Sequence, residues 1–225
     1  MYFNSIVDMA TRGFTEYIQV RTVEYSISLL LALCAFWLGA CPFSLWIGKW
    51  FLGKDIRDYG DGNPGAVNVF RAGGRKSGLL AIVLDIGKGI PFVLMASSLV
   101  QLPEVTVMAI GLSAILGSAF SPILRFKGGK SLGVTFGVLI ALPQHELLIT
   151  FALFLLLGFL LIDIHAWIVM LGLIGSLVYL VITPGNSWES LLMACILAIL
   201  AVKHFDDLHS IPTLNGRLIV WLRSK

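Results

Sequence analysis

The chain is 225 residues long, 57% hydrophobic and only 13% charged, about half the charged share of an ordinary soluble domain. That is too little polar surface for a water-soluble enzyme, a disordered chain or a disulfide scaffold, so lipid must form part of the solvent. A net charge of +3 is too small for nucleic-acid binding to rest on, and no nucleic-acid partner is expected.

Charged residues cut the chain into apolar blocks, which are the predicted elements in chain order. Residues 1–24 carry Asp8, Arg12, Glu16 and Arg21 among apolar residues. With no short apolar run ending in a small-residue cleavage site, they read as an N-terminal leader or interfacial segment. Residues 25–48 and 105–124 contain no charge, and each is long enough to cross about 30 Å of hydrocarbon as a helix. Between them, Ser77 to Leu102 is apolar apart from Asp85 and Lys88. Residues 147–162 and 164–182 give two more spans. Residues 131–144 and 188–202 are shorter and cross as tilted or short helices, unless the first re-enters. The expectation is an all-α polytopic integral membrane protein of about seven transmembrane helices. Residues 25–210 form one membrane domain and residues 211–225 a cytoplasmic tail. Cys34, Cys41 and Cys195 fall in apolar stretches and read as small buried hydrophobes.

Lysine and arginine set the orientation. The loop after span one carries Lys54, Arg57, Arg71, Arg75 and Lys76. The loop after span three carries Arg125, Lys127 and Lys130, and the tail Lys203, Arg217, Arg223 and Lys225. The turns near 101–104, 142–146 and 183–187 carry neither residue type. With seven spans, the rich segments fall on one side and the empty turns on the other. The N-terminus is then outside, and the C-terminus and both basic loops are cytoplasmic.

Four places carry candidate chemistry. The first basic loop, Gly53 to Gly78, is rich in glycine, with Gly60, Gly62, Gly65, Gly73 and Gly74. Glycines let backbone N–H groups form an anion-binding nest, Arg71 offers a planar fork for phosphate oxygens, and Asn63 and Asn68 add directed hydrogen bonds. A solvated connector has the same glycine content. The second loop, Arg125-Phe126-Lys127-Gly128-Gly129-Lys130-Ser131, ends like a nucleotide-binding P-loop, but Leu124 stands where that motif needs its first glycine. What remains is two lysines bracketing Gly128-Gly129, which suits both a phosphate clamp and a positive-inside anchor. Asp85 and Lys88, at i and i+3 within an apolar block, share a helix face and pair away from lipid, either to fix packing or to serve a site. His204, just after the last span, can meet phosphate or move a proton near neutral pH. Asp206 and Asp207 form no ligand spacing with the other histidines, and no metal is expected.

In order and spacing these segments resemble one family, the integral-membrane acyl-phosphate-dependent glycerol-3-phosphate acyltransferases of the PlsY type. The resemblance runs through Gly39-Ala40-Cys41-Pro42-Phe43, Asp55-Ile56-Arg57, Gly60 to Arg71, Leu84 to Gly89, Phe126 to Lys130 and the segment around His204. It implies transfer of a fatty acyl group from acyl phosphate to glycerol 3-phosphate at the cytoplasmic face of the cell membrane. The products are lysophosphatidic acid and phosphate, a step of phospholipid synthesis. An acyl phosphate is already activated, so positioning and charge stabilisation carry the rate without a cofactor or metal. By family position, Arg71, Lys130 and His204 are the catalytic residues. Gly60, Gly62, Asn63, Gly65, Asn68, Lys127, Gly128 and Gly129 bind substrate, and Asp85 and Lys88 support the site. The partners implied are acyl phosphate, glycerol 3-phosphate and the lipid bilayer.

The chain departs from the family pattern at several polar positions. Asp61 replaces the serine of a G-S-G-N loop, Asp207 replaces an asparagine, Ser118 a histidine, Ser121 a proline and Ala40 a serine. An acid at position 61 repels phosphate unless it is protonated or turned away. Two other functions stay open on the sequence. One is a paralogue binding a phosphorylated ligand or using another acyl acceptor. The other is a small transporter with an Asp85–Lys88 relay, against which stands the lack of an evident internal repeat.

Overall fold

The computed structural model describes residues 2–184 and 187–212, with side chains described from Ile18 onward. The tail residues Arg217, Arg223 and Lys225 and the side chains of Asp8, Arg12 and Glu16 lie outside the described residues.

Every regular element among the described residues is helical. Helix α1 (Tyr2–Ala40) runs 39 residues without a break at residue 24, so the segment expected as a leader or interfacial piece is continuous with the first apolar run. That run is not one straight helix over 25–48. It stops at Cys41-Pro42, because proline lacks an N–H and its ring clashes with the preceding turn, and α2 (Phe43–Leu52) starts beyond it. The first basic loop follows, containing a 3₁₀ turn (Ile56–Asp58) and α3 (Ala66–Arg71).

The block expected over Ser77–Leu102 is also divided. Helix α4 (Arg75–Gly87) ends before Pro91, and α5 (Pro91–Leu94) continues into a wider π turn at Met95–Leu99. Helix α6 (Glu104–Ala119), a 3₁₀ turn (Pro122–Leu124) and α7 (Leu132–Ala141) carry the chain to α8 (His145–Leu161) and α9 (His165–Ile182). Helices α10 (Ser187–Lys203) and α11 (Phe205–Leu208) complete the described chain. Among the described residues, four stretches are long and apolar enough to cross a membrane: Ile18–Leu52, Arg75–Leu99, Glu104–Leu124 and His165–Ile182. Helices α7 and α8 are apolar but shorter.

Helix α6 lies at the centre, packed most extensively along α1 and also against α7 and α10, while α8 pairs with α9. The α1–α6 crossing is close because it is made of glycines. A Cβ on Gly117 would strike the Phe36 carbonyl, and one on Gly39 the Ala114 carbonyl, as expected where small residues let helix backbones meet. Ile110, Ile115, Leu139, Leu147, Phe151, Leu173 and Met193 fill the shared core. The outward faces carry exposed Leu29, Leu33, Trp37, Val83, Leu153, Val178 and Val181, a surface suited to hydrocarbon rather than water. The three cysteines are half-buried, not buried, and unpaired.

A second small core holds the first loop in place. Ile47 of α2, Ile56, Val69, Ala72 and Ala81 of α4 pack together. The loop is thus a folded unit seated on α2 and α4, which disposes of the flexible-connector reading.

Candidate anion-binding active site

Asn68, on α3 and 1% exposed, organises the first loop. Its amide nitrogen donates to Asp61 Oδ1 and to the Asn63 carbonyl, both at 2.9 Å, and its oxygen accepts from Arg71 Nη1 at 3.2 Å. Every polar atom of that amide has a partner, so the positions of Asp61 and Arg71 are fixed together. Gly60 is required here twice over. Its φ is +62°, and a Cβ would collide with Arg71 Nη1 and Asn68 Oδ1. The N–H groups of Gly62 and Gly65 already donate to the Tyr59 and Asn63 carbonyls. These glycines therefore shape the loop, and its free positive charge comes from side chains rather than a backbone nest.

The second loop is laid against the end of α6 by Gly128 and Gly129. A Cβ on Gly128 would run into the Ser118 and Ala119 carbonyls, and the Gly129 N–H donates to the Ser118 carbonyl at 3.1 Å. This delivers Lys130 to the first loop, where its Nζ lies 2.7 Å from Asp61 Oδ2. Arg71 Nη1 lies 3.9 Å from the other oxygen of Asp61. Lys130 also donates to Asp207 Oδ2 of α11 at 2.6 Å. Arg71, Lys130 and the segment after α10 therefore meet at one point, joined by two carboxylates.

Both ends of this bridge are ionised. Burial opposes the charge on Asp61, but hydrogen bonds from Lys130 and Asn68 and the Lys130 charge outweigh it and lower its pKa to about 2. Burial likewise opposes the Lys130 charge, and Asp207 and Asp61 more than offset it, so its pKa lies above the usual lysine value. Asp61 is neither protonated nor turned away. It faces the cations it was expected to disturb.

His204 is 3% exposed. Its Nδ1 sits 2.8 Å from the Leu200 carbonyl, which can only accept, so the ring proton is on Nδ1 and Nε2 carries the free lone pair. Burial pushes its pKa below the usual 6.5, the Leu200 contact opposes that shift, and Lys130 adds to it. Titration of the four histidines by side-chain NMR should give His204 a midpoint below 6.5 and an unprotonated Nε2 at neutral pH. A ring protonated at neutral pH, or the opposite tautomer, would remove it as a hydrogen-bond acceptor.

Two hollows adjoin the bridge. A cavity of about 510 Å³ runs from Arg71, Lys130 and His204 to Phe136, Leu155, Phe159 and Ile168. An outer hollow of about 370 Å³ is lined by Lys127, Gly128, Gly62, Lys203, Asp206 and Asp207. Asp61, Asn63, Pro64 and Lys130 belong to both. Gly65 and Gly129 line the inner cavity, and exposed Lys127 reaches only the outer hollow.

Asp85 and Lys88 also border the inner cavity and pair at 3.0 Å. Asp85 accepts a hydrogen bond from Ser44 at the start of α2, and Lys88 donates to the Cys41 carbonyl at 3.2 Å. The pair fastens α4 to the elbow between α1 and α2. Sequence reasoning missed Ser44 and the elbow contact, and it gave His165, which lines the cavity, no role. It read Asp61 and Asp207 as two extra carboxylates that weaken binding of a dianion, and did not foresee that both bond to Lys130. Their signal was the joint gain of two acids on loops flanking a retained lysine.

Fold and site together define an integral membrane protein with a cluster of paired charges at the mouth of a largely apolar cavity. A family model described as glycerol-3-phosphate acyltransferase matches residues 29–213, and the chain belongs to that family. It is 33% identical over 204 residues to a glycerol-3-phosphate acyltransferase of Streptococcus equi subsp. zooepidemicus (strain MGCS10565), covering 86% of this chain and 93% of that protein. It is 42% identical over 126 residues to one of Geotalea daltonii, covering 56% and 64%. It is also similar to the crystal structure of PlsY (YgiH), an integral membrane glycerol 3-phosphate acyltransferase, in its glycerol 3-phosphate form. There the TM-score is 0.74 at 27% identity, over 86% of this chain and 98% of that one. The lysophosphatidic acid form matches with a TM-score of 0.71 at the same identity, over 81% and 90%.

Proposed function

We propose that this chain transfers a fatty acyl group from acyl phosphate to the 1-hydroxyl of glycerol 3-phosphate, giving lysophosphatidic acid and inorganic phosphate. The observation that carries this reading is the meeting of Arg71 and Lys130, from separate loops, on a cavity whose far wall is Phe136, Leu155, Phe159 and Ile168. An acyl phosphate has that same division, a dianionic head on an apolar chain.

In this reading the acceptor hydroxyl oxygen attacks the acyl carbon while the bond from that carbon to the phosphate oxygen breaks. Arg71 and Lys130 hold the phosphate groups of acceptor and donor and offset the charge that gathers on the departing phosphate. His204 accepts the hydrogen bond of the attacking hydroxyl through Nε2, and the hydroxyl proton leaves on the departing phosphate, which is released as hydrogen phosphate. Gly60, Gly62, Gly65, Gly128 and Gly129 give the loops their approach, Asn63 and Asn68 hold the first loop, and Lys127 draws phosphorylated substrate toward the outer hollow.

We assign the seven spans to α1 with its elbow, α4 with α5, α6, α7, α8, α9 and α10, within a membrane unit of residues 25–210, with 211–225 as its cytoplasmic tail. Odd parity supports this count. The loops after spans one and three and the segment after span seven must lie on one side, and Asp61, Lys130 and Asp207 from those three places are bonded together. The lysine and arginine distribution makes that side cytoplasmic, which puts the N-terminus outside and the site at the inner face of the cell membrane.

Purified protein in detergent or lipid is expected to release phosphate from palmitoyl phosphate only when glycerol 3-phosphate is added. No release above a blank across several pH values would favour a paralogue that uses another acyl acceptor, the reading suggested by the two carboxylates on the clamp.

A further inference from the structure

Among Arg71, Lys130, Asp61 and Asp207, two cations meet two carboxylates at distances of 2.6 to 3.9 Å, and the four charges cancel. A carboxylate and a phosphate present the same kind of anionic oxygen to arginine and lysine. Asp61 stands between Arg71 and Lys130, the place a phosphate group must take to touch both. It is held there by Asn68 and by the Asn63 N–H, which donates to Asp61 Oδ1 at 3.3 Å.

Resting on the acyltransferase reading above, we propose that Asp61 is a specificity-determining residue that occupies the phosphate position between Arg71 and Lys130, so that phosphate binds only by taking those cations from it. The competition loosens the grip on phosphorylated acceptor and on released inorganic phosphate alike. It speeds product release at the expense of affinity, and it narrows the preference for a dianionic acceptor over a less charged one.

Three observations carry this. The Asp61 pKa of about 2 keeps it anionic at every working pH, so it gives up its partners to a competing anion and not to a proton. Asp207 holds Lys130 as a second partner at 2.6 Å, so the lysine stays in place while its first partner is exchanged. The Asp61–Lys130 bridge also forms the common wall of the two hollows, so the same exchange joins the outer polar space to the apolar cavity.

The test uses inorganic phosphate as the probe, with full-length protein in detergent and binding measured by calorimetry. Asp61→Asn keeps an oxygen for Asn68 and the Asn63 N–H while removing the charge, and Asp61→Ser removes the charge and shortens the side chain to a hydroxyl. Removing one negative charge a few ångströms from a dianion is expected to tighten phosphate binding about tenfold or more in each. The KM for glycerol 3-phosphate should fall by a similar factor, and phosphate should become a stronger competitive inhibitor. Unchanged or weaker phosphate binding by Asp61→Asn at unchanged thermal stability would overturn the proposal. If that variant loses stability, Asp61→Ser reads the same charge at the same position, and failure to tighten there would overturn it equally. Phosphate binding is measured without turnover, so a protein that binds phosphate as expected but transfers no acyl group would refute the acyltransferase reading and leave this one standing.

Discussion

Lys130→Ala is expected to abolish measurable acyl transfer, lowering kcat/KM by at least roughly 10²–10³-fold, the cost typical of losing one preorganised charge at a reacting group. The geometry makes the loss larger than that of an ordinary surface lysine. Lys130 is the common partner of Asp61 and Asp207, and its removal leaves those two acids with Arg71 alone, so an incoming phosphate meets net negative charge. Arg71→Ala should fall in the same direction but less far, because Arg71 lies 3.9 Å from Asp61 and is 45% exposed. The double variant Lys130→Ala/Asp61→Ser should regain part of the lost phosphate binding, since it removes the acid that the lysine had neutralised. Phosphate release from palmitoyl phosphate measures the first effect, and a double-mutant cycle measures the coupling. Full activity in both single variants, with the fold intact by circular dichroism, would dismantle the clamp.

The loops that carry this prediction were legible in the sequence because they are where charge and glycine gather in an otherwise apolar chain. Arg71, Lys130 and the glycines around them stand out for that reason. Their mutual contacts did not. Asp61 and Lys130 are 69 residues apart and Lys130 and Asp207 77 apart, and no local pattern shows which loop lies beside which. Asp61 thus read as a repulsive intruder, while in the fold it is the link between the two cations. The apolar blocks were legible as helices, but charge alone hid their breaks. Residues 25–48 lack charge and still bend, because Pro42 acts through a missing N–H and a steric clash that hydropathy does not register. The Gly39–Gly117 crossing was concealed for a similar reason, since a glycine in an apolar helix shows its purpose only against the backbone it touches.

The second large effect is expected from Lys88→Met, which should destabilise the protein by roughly 3–5 kcal/mol, the cost of leaving one member of a buried ion pair uncompensated. Lys88 is the more buried partner, with a side chain 6% exposed against 16% for Asp85. After the substitution Asp85 keeps only Ser44 as a hydrogen-bond donor, and the Cys41 carbonyl loses the lysine that held it. Replacing both members with apolar residues of similar size removes the stranded charge, so Asp85→Leu/Lys88→Met should recover much of the thermal stability measured in detergent. It does not restore a donor to Cys41. Ala40, Cys41 and Pro42 line the inner cavity, so the double variant should stay well below wild type in turnover after its stability has returned. That split separates a pair that only glues helices from one that also sets the cavity wall. Recovery of stability and turnover together would leave the pair with packing alone.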